Sequence, residues 1–233
     1  MDSITLFLIV FLIALLAIML YPLVLYAVKV TAPYRNDFFW IYRCRIYRMS
    51  VNLTESKYFG KGCASTDKYR WLADYPTIDD EVLIEIASNL NKICEGKSDR
   101  YKAGMLLAFV QQNVKYTSDY EQYGKSEYYA IPIQPLTSRM GDCEDTAILY
   151  NGIAYNMGLK SRLIIVTGHA TAGVTDIVGL AGFDIDGKKY IVAETTNYIP
   201  ILGLYFGKTD VRGSAEPQMP SQAFLNTLEP INK

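Results

Sequence analysis

The chain is poor in the residues that most often announce chemistry: one histidine, four cysteines and two tryptophans in 233 residues. Its 23 lysines and arginines nearly cancel its 24 aspartates and glutamates. So balanced a charge leaves no electrostatic footprint for nucleic acid, and no stretch interleaves aromatic and basic residues as RNA-reading sheets do. Nucleic acid is therefore not an expected partner. The cysteines and the histidine show no close ligand spacing, so no metal and no other cofactor is expected. No internal repeat or low-complexity tract is visible. With about 30 residues set aside for an apolar start, the remaining roughly 200 suit one domain with a real core.

What is present is an ordered trio. Cys143 is followed by the lone histidine, His169, and then by an acidic residue on a strand-like run, Glu194. A nucleophilic thiol needs a base to take its proton, and that base needs a third group to fix its tautomer and orientation. One histidine leaves no competing choice of base. The cysteine lies in Gly141-Asp142-Cys143-Glu144-Asp145-Thr146-Ala147, and apolar residues at Ala147, Ile148, Ile153 and Ala154, ending near Gly158, mark a helix that begins close to Asp142. Unpaired N–H groups and the helix dipole favour a thiolate there by roughly 0.3–1 kcal/mol, up to about 2 when partly buried. Asp142, Glu144 and Asp145 oppose it as like charges. A cationic His169 paired with the thiolate is then required for a good nucleophile at neutral pH. Read singly, each residue has a structural alternative: a small buried hydrophobe for Cys143, caps for the acids, a satisfied core or surface residue for His169.

The surrounding pattern suits an α+β fold. Ile78-Asp79-Asp80 opens an amphipathic series through Val82, Leu83, Ile86, Leu90 and Ile93, and Ser98 opens another through Met105, Leu106 and Val110. Arg162 to Thr167 predicts a buried strand that delivers His169 at its far end. Leu180 to Ile185 and Lys188 to Ala193 flank Asp186-Gly187, a type I′ hairpin signal. His169 and Glu194 are then expected on neighbouring strands facing the Cys143 helix. Helices first and an antiparallel sheet afterwards define the class.

Several segments together carry a family likeness: Phe109-Val110-Gln111-Gln112-Asn113-Val114-Lys115-Tyr116, Glu127-Tyr128-Tyr129 with Pro132 and Pro135-Leu136, Gly141 to Ala147, Gly168-His169-Ala170 with Gly173-Val174, and Tyr190-Ile191-Val192-Ala193-Glu194-Thr195-Thr196. From Phe109 to Thr196 the chain resembles the transglutaminase-like superfamily of papain-type thiol enzymes, and in particular its membrane-associated prokaryotic and archaeal branch. The resemblance implies a papain-like core with Cys143 as nucleophile, His169 as base and Glu194 as orienter, where most of the superfamily carries aspartate. It also implies a side-chain donor to the oxyanion beside the Cys143 N–H, for which Gln112, Tyr116 and Tyr128 are the candidates. Tyr116, Tyr120, Tyr123, Tyr128 and Tyr129 crowd this segment and suit either a substrate cleft or a packed loop.

Leu6 to Val28 carries no charge and one helix breaker, Pro22. At about 1.5 Å per residue it spans a hydrocarbon core of roughly 30 Å, which predicts a single transmembrane anchor. The start offers Asp2 and no basic residue, unlike a cleaved signal. Tyr21 and Tyr26, then Phe38, Phe39 and Trp40, read as aromatic anchoring at or just beyond the interface. Lys29, Arg35, Arg43, Arg45 and Arg48 follow, opposed by Asp37 alone, so the charge rule favours a cytoplasmic catalytic domain. The family resemblance points outside the cell. Cys63 and Cys94 could pair only in an oxidising compartment, and Asn52-Leu53-Thr54 is a glycosylation sequon. The organisation expected is an anchor over 1–28, a basic aromatic juxtamembrane segment over 29–76, a catalytic domain over 77–212, and a tail over 213–233 that wraps the domain or hangs free. The function expected is that of a membrane-anchored thiol enzyme acting on an amide of a protein or peptide. A cysteine peptidase comes first, with transamidation open. The alternative is a catalytically silent, membrane-tethered interaction domain of the same fold.

Overall fold

A computed structural model of the chain describes residues 37–63 and 72–231. In chain order its strands and helices are β1 (Asp37–Tyr42), β2 (Arg45–Ser50), β3 (Lys61–Cys63), α1 (Glu81–Ile93), α2 (Asp99–Asn113), β4 (Lys115–Tyr116), α3 (Asp119–Tyr123), α4 (Ile133–Ser138), β5 (Met140–Gly141), α5 (Cys143–Asn156), β6 (Ser161–Val166), β7 (His169–Val174), β8 (Gly182–Ile185), β9 (Lys188–Ala193), β10 (Val211–Ala215), α6 (Gln222–Leu225) and β11 (Leu228–Pro230). The helix starts follow the expected caps. Asp80 accepts from the Val82 N–H and Ser98 from the Tyr101 N–H, each satisfying a donor that the first turn leaves open.

Five strands form one antiparallel sheet in the order β10-β6-β7-β9-β8. Its alternating side chains make two apolar layers. Leu163, Ile165, Ala172, Ile191 and Ala193 pack into the main core with α1, α2 and α5, whereas Ile164, Val166, Phe183, Ile185, Tyr190 and Val192 form a smaller cluster partly covered by Tyr205. Asp186 and Gly187 both take positive φ, 52° and 73°, at the tip of the β8–β9 hairpin, as a type I′ turn requires. Helix α5 is buried along nearly its whole length, from Glu144 to Ala154, so the cysteine at its start is set by packing on all sides.

The core begins upstream of the expected boundary at residue 77. Strands β1 and β2 pair in register from Asp37↔Ser50 to Tyr42↔Arg45, and their hairpin packs on α2. Phe38 and Trp40 are 0% and 1% exposed, with their rings each 5.3 Å from Phe109. They are core residues of the domain and not aromatic anchors at a membrane interface; burial against Phe109 removes more apolar surface from water than a headgroup layer can. The end of α2 fixes the hairpin: Gln112 accepts from the Ile41 N–H and donates to the Ile41 carbonyl, both at 2.8 Å, while Asn113 accepts from the Phe39 N–H. The tail wraps the domain, since β10 pairs with β6, β11 pairs with β3, and Phe224 is fully buried.

Among the described residues no helix is long and apolar enough to cross a membrane. The expected span, Leu6 to Val28, lies outside the described residues, as do Tyr21, Tyr26 and the basic residues Lys29 and Arg35. All four cysteines are free, with Cys63 and Cys94 both buried.

The hairpin makes a sharp expectation. Trp40→Ala should cost about 3–5 kcal/mol in urea denaturation, the usual range for removing a buried large aromatic. A chain started at Asp37 should unfold cooperatively, whereas one started at Asn52 should lose that cooperativity. Equal stability of the two truncations would show the hairpin to be dispensable.

Candidate active site

Cys143 is the first residue of α5, and Asp142 before it is extended, with φ −99° and ψ −153°. Each residue of the motif has a separate local reason. A Cβ on Gly141 would lie 2.9 Å from the Asp145 Cβ, so the approach admits no side chain. Asp145, completely buried, accepts from the Ala130 N–H at 2.8 Å and ties the loop before α4 to the helix start. Thr146 donates its hydroxyl proton to the Asp142 carbonyl at 2.8 Å and lies 2.8 Å from the Thr195 hydroxyl, which joins α5 to the residue after Glu194.

The other two members come from the sheet. His169 opens β7, and Glu194 directly follows β9, the strand that pairs with β7 through Ala172↔Ala193. Extending that register by one residue sets Glu194 across from Thr171, two residues along from His169 on the same face. A diagonal of this kind is within reach of a long side chain. Glutamate spans it: His169 Nε2 lies 2.8 Å from Glu194 Oε2. The other carboxylate oxygen, Oε1, accepts from the Thr196 N–H at 3.0 Å and its hydroxyl at 2.7 Å. Gln111 Nε2 donates to the Glu194 carbonyl at 2.7 Å. The Tyr205 ring lies over the imidazole, 6.2 Å between centroids and tilted by 20°. With Nε2 given to Glu194, Nδ1 is the nitrogen left to receive a thiol proton.

Cys143, His169, Gly168 and Ala170 line one cavity of about 300 Å³ together with Tyr116, Tyr129, Asp119, Glu127, Asp142 and Glu144. Of the three expected oxyanion donors, the structure brings Tyr116 there, because β4 pairs with β5 through Tyr116↔Gly141. Gln112 is instead spent on docking β1. Tyr128 accepts from Gln134 Nε2 at 2.8 Å and packs on Tyr123 outside the cavity. Tyr129, its neighbour, lines the cavity together with Tyr116 and Tyr120.

The electrostatics depart from the sequence expectation of a thiolate–imidazolium pair. The Cys143 thiol donates to Glu144 Oε2 at 2.9 Å, so its proton is committed to a carboxylate. Burial first, then the charges of Glu144 and Asp142, push the thiol well above its ordinary range, against a favourable contact with the Ala170 N–H. Burial also raises Asp142, Glu144 and Asp145, and takes Asp119 to about 7 with Asp142 adding to the effect. Glu194 behaves oppositely: burial raises it, but the hydrogen bonds from His169 and Thr196 outweigh burial and hold it below the usual carboxylate range. Asp119, Asp142 and Asp145 each bring an oxygen within 4.8 Å of the others, as do Asp119, Glu127 and Glu144. An oxygen-only set of this kind suits a hard cation more than zinc. The spacing of cysteine and histidine gave no sign of it; Asp119 joins the site only through the fold.

The Cys143 thiol at a helix start thus shares one cavity with an imidazole that is hydrogen-bonded to a buried carboxylate on the neighbouring strand. Residues 88–195 match the family model of the transglutaminase-like superfamily. Among solved structures, the chain is similar to Legionella pneumophila LapG at 15% identity, covering 52% of this chain and 73% of LapG with a TM-score of 0.38. It is similar to a candidate cysteine protease from Cytophaga hutchinsonii at 16% identity, covering 71% of this chain and 51% of that one with a TM-score of 0.40. A third similar structure, a TGase, shows 19% identity, 62% and 36% coverage and a TM-score of 0.33. No curated protein matches significantly.

The raised carboxyls give stability a defined pH dependence. A group whose folded pKa exceeds its unfolded value contributes stability in full below the unfolded value, near 4, and loses it as pH rises through the folded one. For Asp119 that window runs from about 4 to about 7, and Asp142 moves in the same direction. Asp142→Asn should therefore raise the melting temperature at pH 8 by about 2–4 °C or more, corresponding to about 1 kcal/mol, and change it little at pH 4.5. Equal effects at the two pH values would remove Asp142 from the titrating cluster.

Proposed function

We propose that the protein is a membrane-anchored thiol enzyme that opens an amide of a protein or peptide through Cys143, His169 and Glu194, acting first as a cysteine peptidase. The observation that carries this reading is the His169–Glu194 hydrogen bond at 2.8 Å on the wall of the cavity that holds Cys143. In the step proposed, His169 Nδ1 takes the thiol proton, sulfur bonds to the carbonyl carbon, and the C–N bond breaks as the imidazolium returns the proton to the leaving amine. Water then adds to the thioester, releasing the carboxylic acid and restoring the thiol. A lysine amine in place of water gives the transamidase outcome, which needs a second binding site and is the lesser expectation. The Cys143 N–H in the first turn of α5 is the backbone donor for the developing oxyanion, and Tyr116 is the side-chain candidate that shares its cavity.

The charge-free run from Leu6 to Val28 supports the anchor, and the basic residues after it support a cytoplasmic catalytic domain. The thiol's hydrogen bond to Glu144 favours a second reading, a silent tethered domain that keeps the fold.

Screening the protein against peptide and glutaminyl substrates, with Cys143→Ala as control, separates these. His169→Ala should abolish turnover and slow alkylation of Cys143 sharply, while leaving the domain folded. Glu194→Gln should lower kcat by orders of magnitude, because a neutral orienter mis-sets the imidazole tautomer. Alkylation at the same rate with and without His169, and no turnover of any substrate, would establish the silent reading.

The anchor has its own test. The protein should stay in membranes through carbonate extraction, and protease outside intact cells should spare the domain. Recovery of a shortened N-terminus by mass spectrometry would overturn the anchor.

A further inference from the structure

We propose that Thr196 is a positioning residue of this site: it clamps one oxygen of Glu194, and so decides which nitrogen of His169 is left to take the thiol proton; this rests on the thiol-enzyme reading above. The last torsion of a glutamate side chain is broad and roughly two-fold, so the atoms before it do not by themselves aim the carboxylate. Two donors from one residue aim it here. The Thr196 N–H lies 3.0 Å and its hydroxyl 2.7 Å from Oε1, which leaves Oε2 as the oxygen turned to His169 Nε2, at 2.8 Å. An ionised carboxylate only accepts, so the hydroxyl gives its proton to Oε1.

The clamp is itself held from two helices. Thr195, 2% exposed, sets its hydroxyl 2.8 Å from that of Thr146 on α5. Gln111, in the last turn of α2, donates to the Glu194 carbonyl at 2.7 Å. With the chain at 194 and 195 pinned from both sides, the carboxylate torsion is the freedom that Thr196 removes. Burial would raise Glu194, yet the hydrogen bonds from His169 and Thr196 hold it below the usual carboxylate range, which keeps it an acceptor at neutral pH.

The consequence falls on the imidazole. A neutral ring donates through one nitrogen and accepts through the other, and the partner of the first fixes the role of the second. Facing Oε2, Nε2 carries the hydrogen and Nδ1 keeps its lone pair. A carboxylate released from Thr196 would turn, and the hydrogen would be shared with Nδ1. A protonated Nδ1 has no pair to offer the Cys143 thiol.

A single histidine in the chain makes the tautomer measurable without ambiguity. Full-length protein in detergent, labelled with 15N at the histidine Nε2 alone, should give the signal of a protonated nitrogen at alkaline pH. Thr196→Val keeps the volume and removes the hydroxyl. It should move that signal towards the unprotonated position and slow iodoacetamide alkylation of Cys143, followed on its peptide by mass spectrometry, about tenfold. That factor is equivalent to about 1.4 kcal/mol, the scale of a hydrogen bond to a charged group. Thr196→Ser should restore both readouts, and Thr196→Ala serves in place of valine if that variant does not fold. An unchanged signal and rate without the hydroxyl, with alkylation still slowed by His169→Ala, would overturn the clamp and leave the thiol enzyme standing. Equal changes in the valine and serine variants would reduce Thr196 to packing and likewise overturn it. Alkylation indifferent to His169 would sink the thiol-enzyme reading and the clamp's part in it together.

Discussion

The site depends on one constraint: a thiol and several carboxylates are buried together at the start of a helix. The first turn of α5 offers its N–H groups and about half a positive charge, worth at most about 2 kcal/mol to a nearby anion. Taking an ion out of water costs several kcal/mol even after relaxation. Burial therefore outweighs the helix terminus, and pushes the Cys143 thiol and the carboxyls of Asp142, Glu144 and Asp145 above their ordinary ranges. The Cys143 thiol donates a hydrogen bond to Glu144.

The same economy of position governs the end of α2. Three successive residues there hold different parts of the molecule: Gln111 grips the Glu194 carbonyl, Gln112 clasps Ile41 through both its amide atoms, and Asn113 receives the Phe39 N–H. Glu194 and the β1–β2 hairpin are thereby fixed to one helical turn. Arg139 reinforces this, donating to the Asp37 carbonyl at 2.8 Å with its guanidinium 3.7 Å above the Phe38 ring. A disturbance of the hairpin reaches Glu194 through a single rigid element.

Features specified by neighbours in sequence were legible before the fold was. The caps at Asp80 and Ser98, the helix start at Cys143 and the Asp186-Gly187 turn are local chemistry, and each stands where that chemistry puts it. The trio Cys143, His169 and Glu194 stood out because the sequence has a single histidine, and the structure sets His169 against Glu194 and on the same cavity as Cys143. The β1–β2 hairpin was not. Its turn uses Arg43 and Cys44 at φ 48° and 59°, without the glycine or asparagine that signals such a turn. The aromatic residues of β1 are buried by Phe109, far along the chain, and so looked like interfacial anchors beside basic residues. Gln112 and Tyr128 had the right chemistry for an oxyanion donor and were claimed by other partners. Asp119 gave no sign, since only packing carries it to Asp142.

The early start of the hairpin also sets a leash. If Val28 ends the proposed anchor, only residues 29–36 separate the bilayer from Asp37, and eight or nine residues drawn out fully reach about 30 Å. The cavity is then confined to a thin shell above the membrane, comparable in depth to the domain itself. That tether would close free diffusion to distant targets. With such an anchor its encounters would be with chains that are themselves held at, or emerging from, the same surface, where the local concentration of a tethered partner would replace affinity as the determinant of rate.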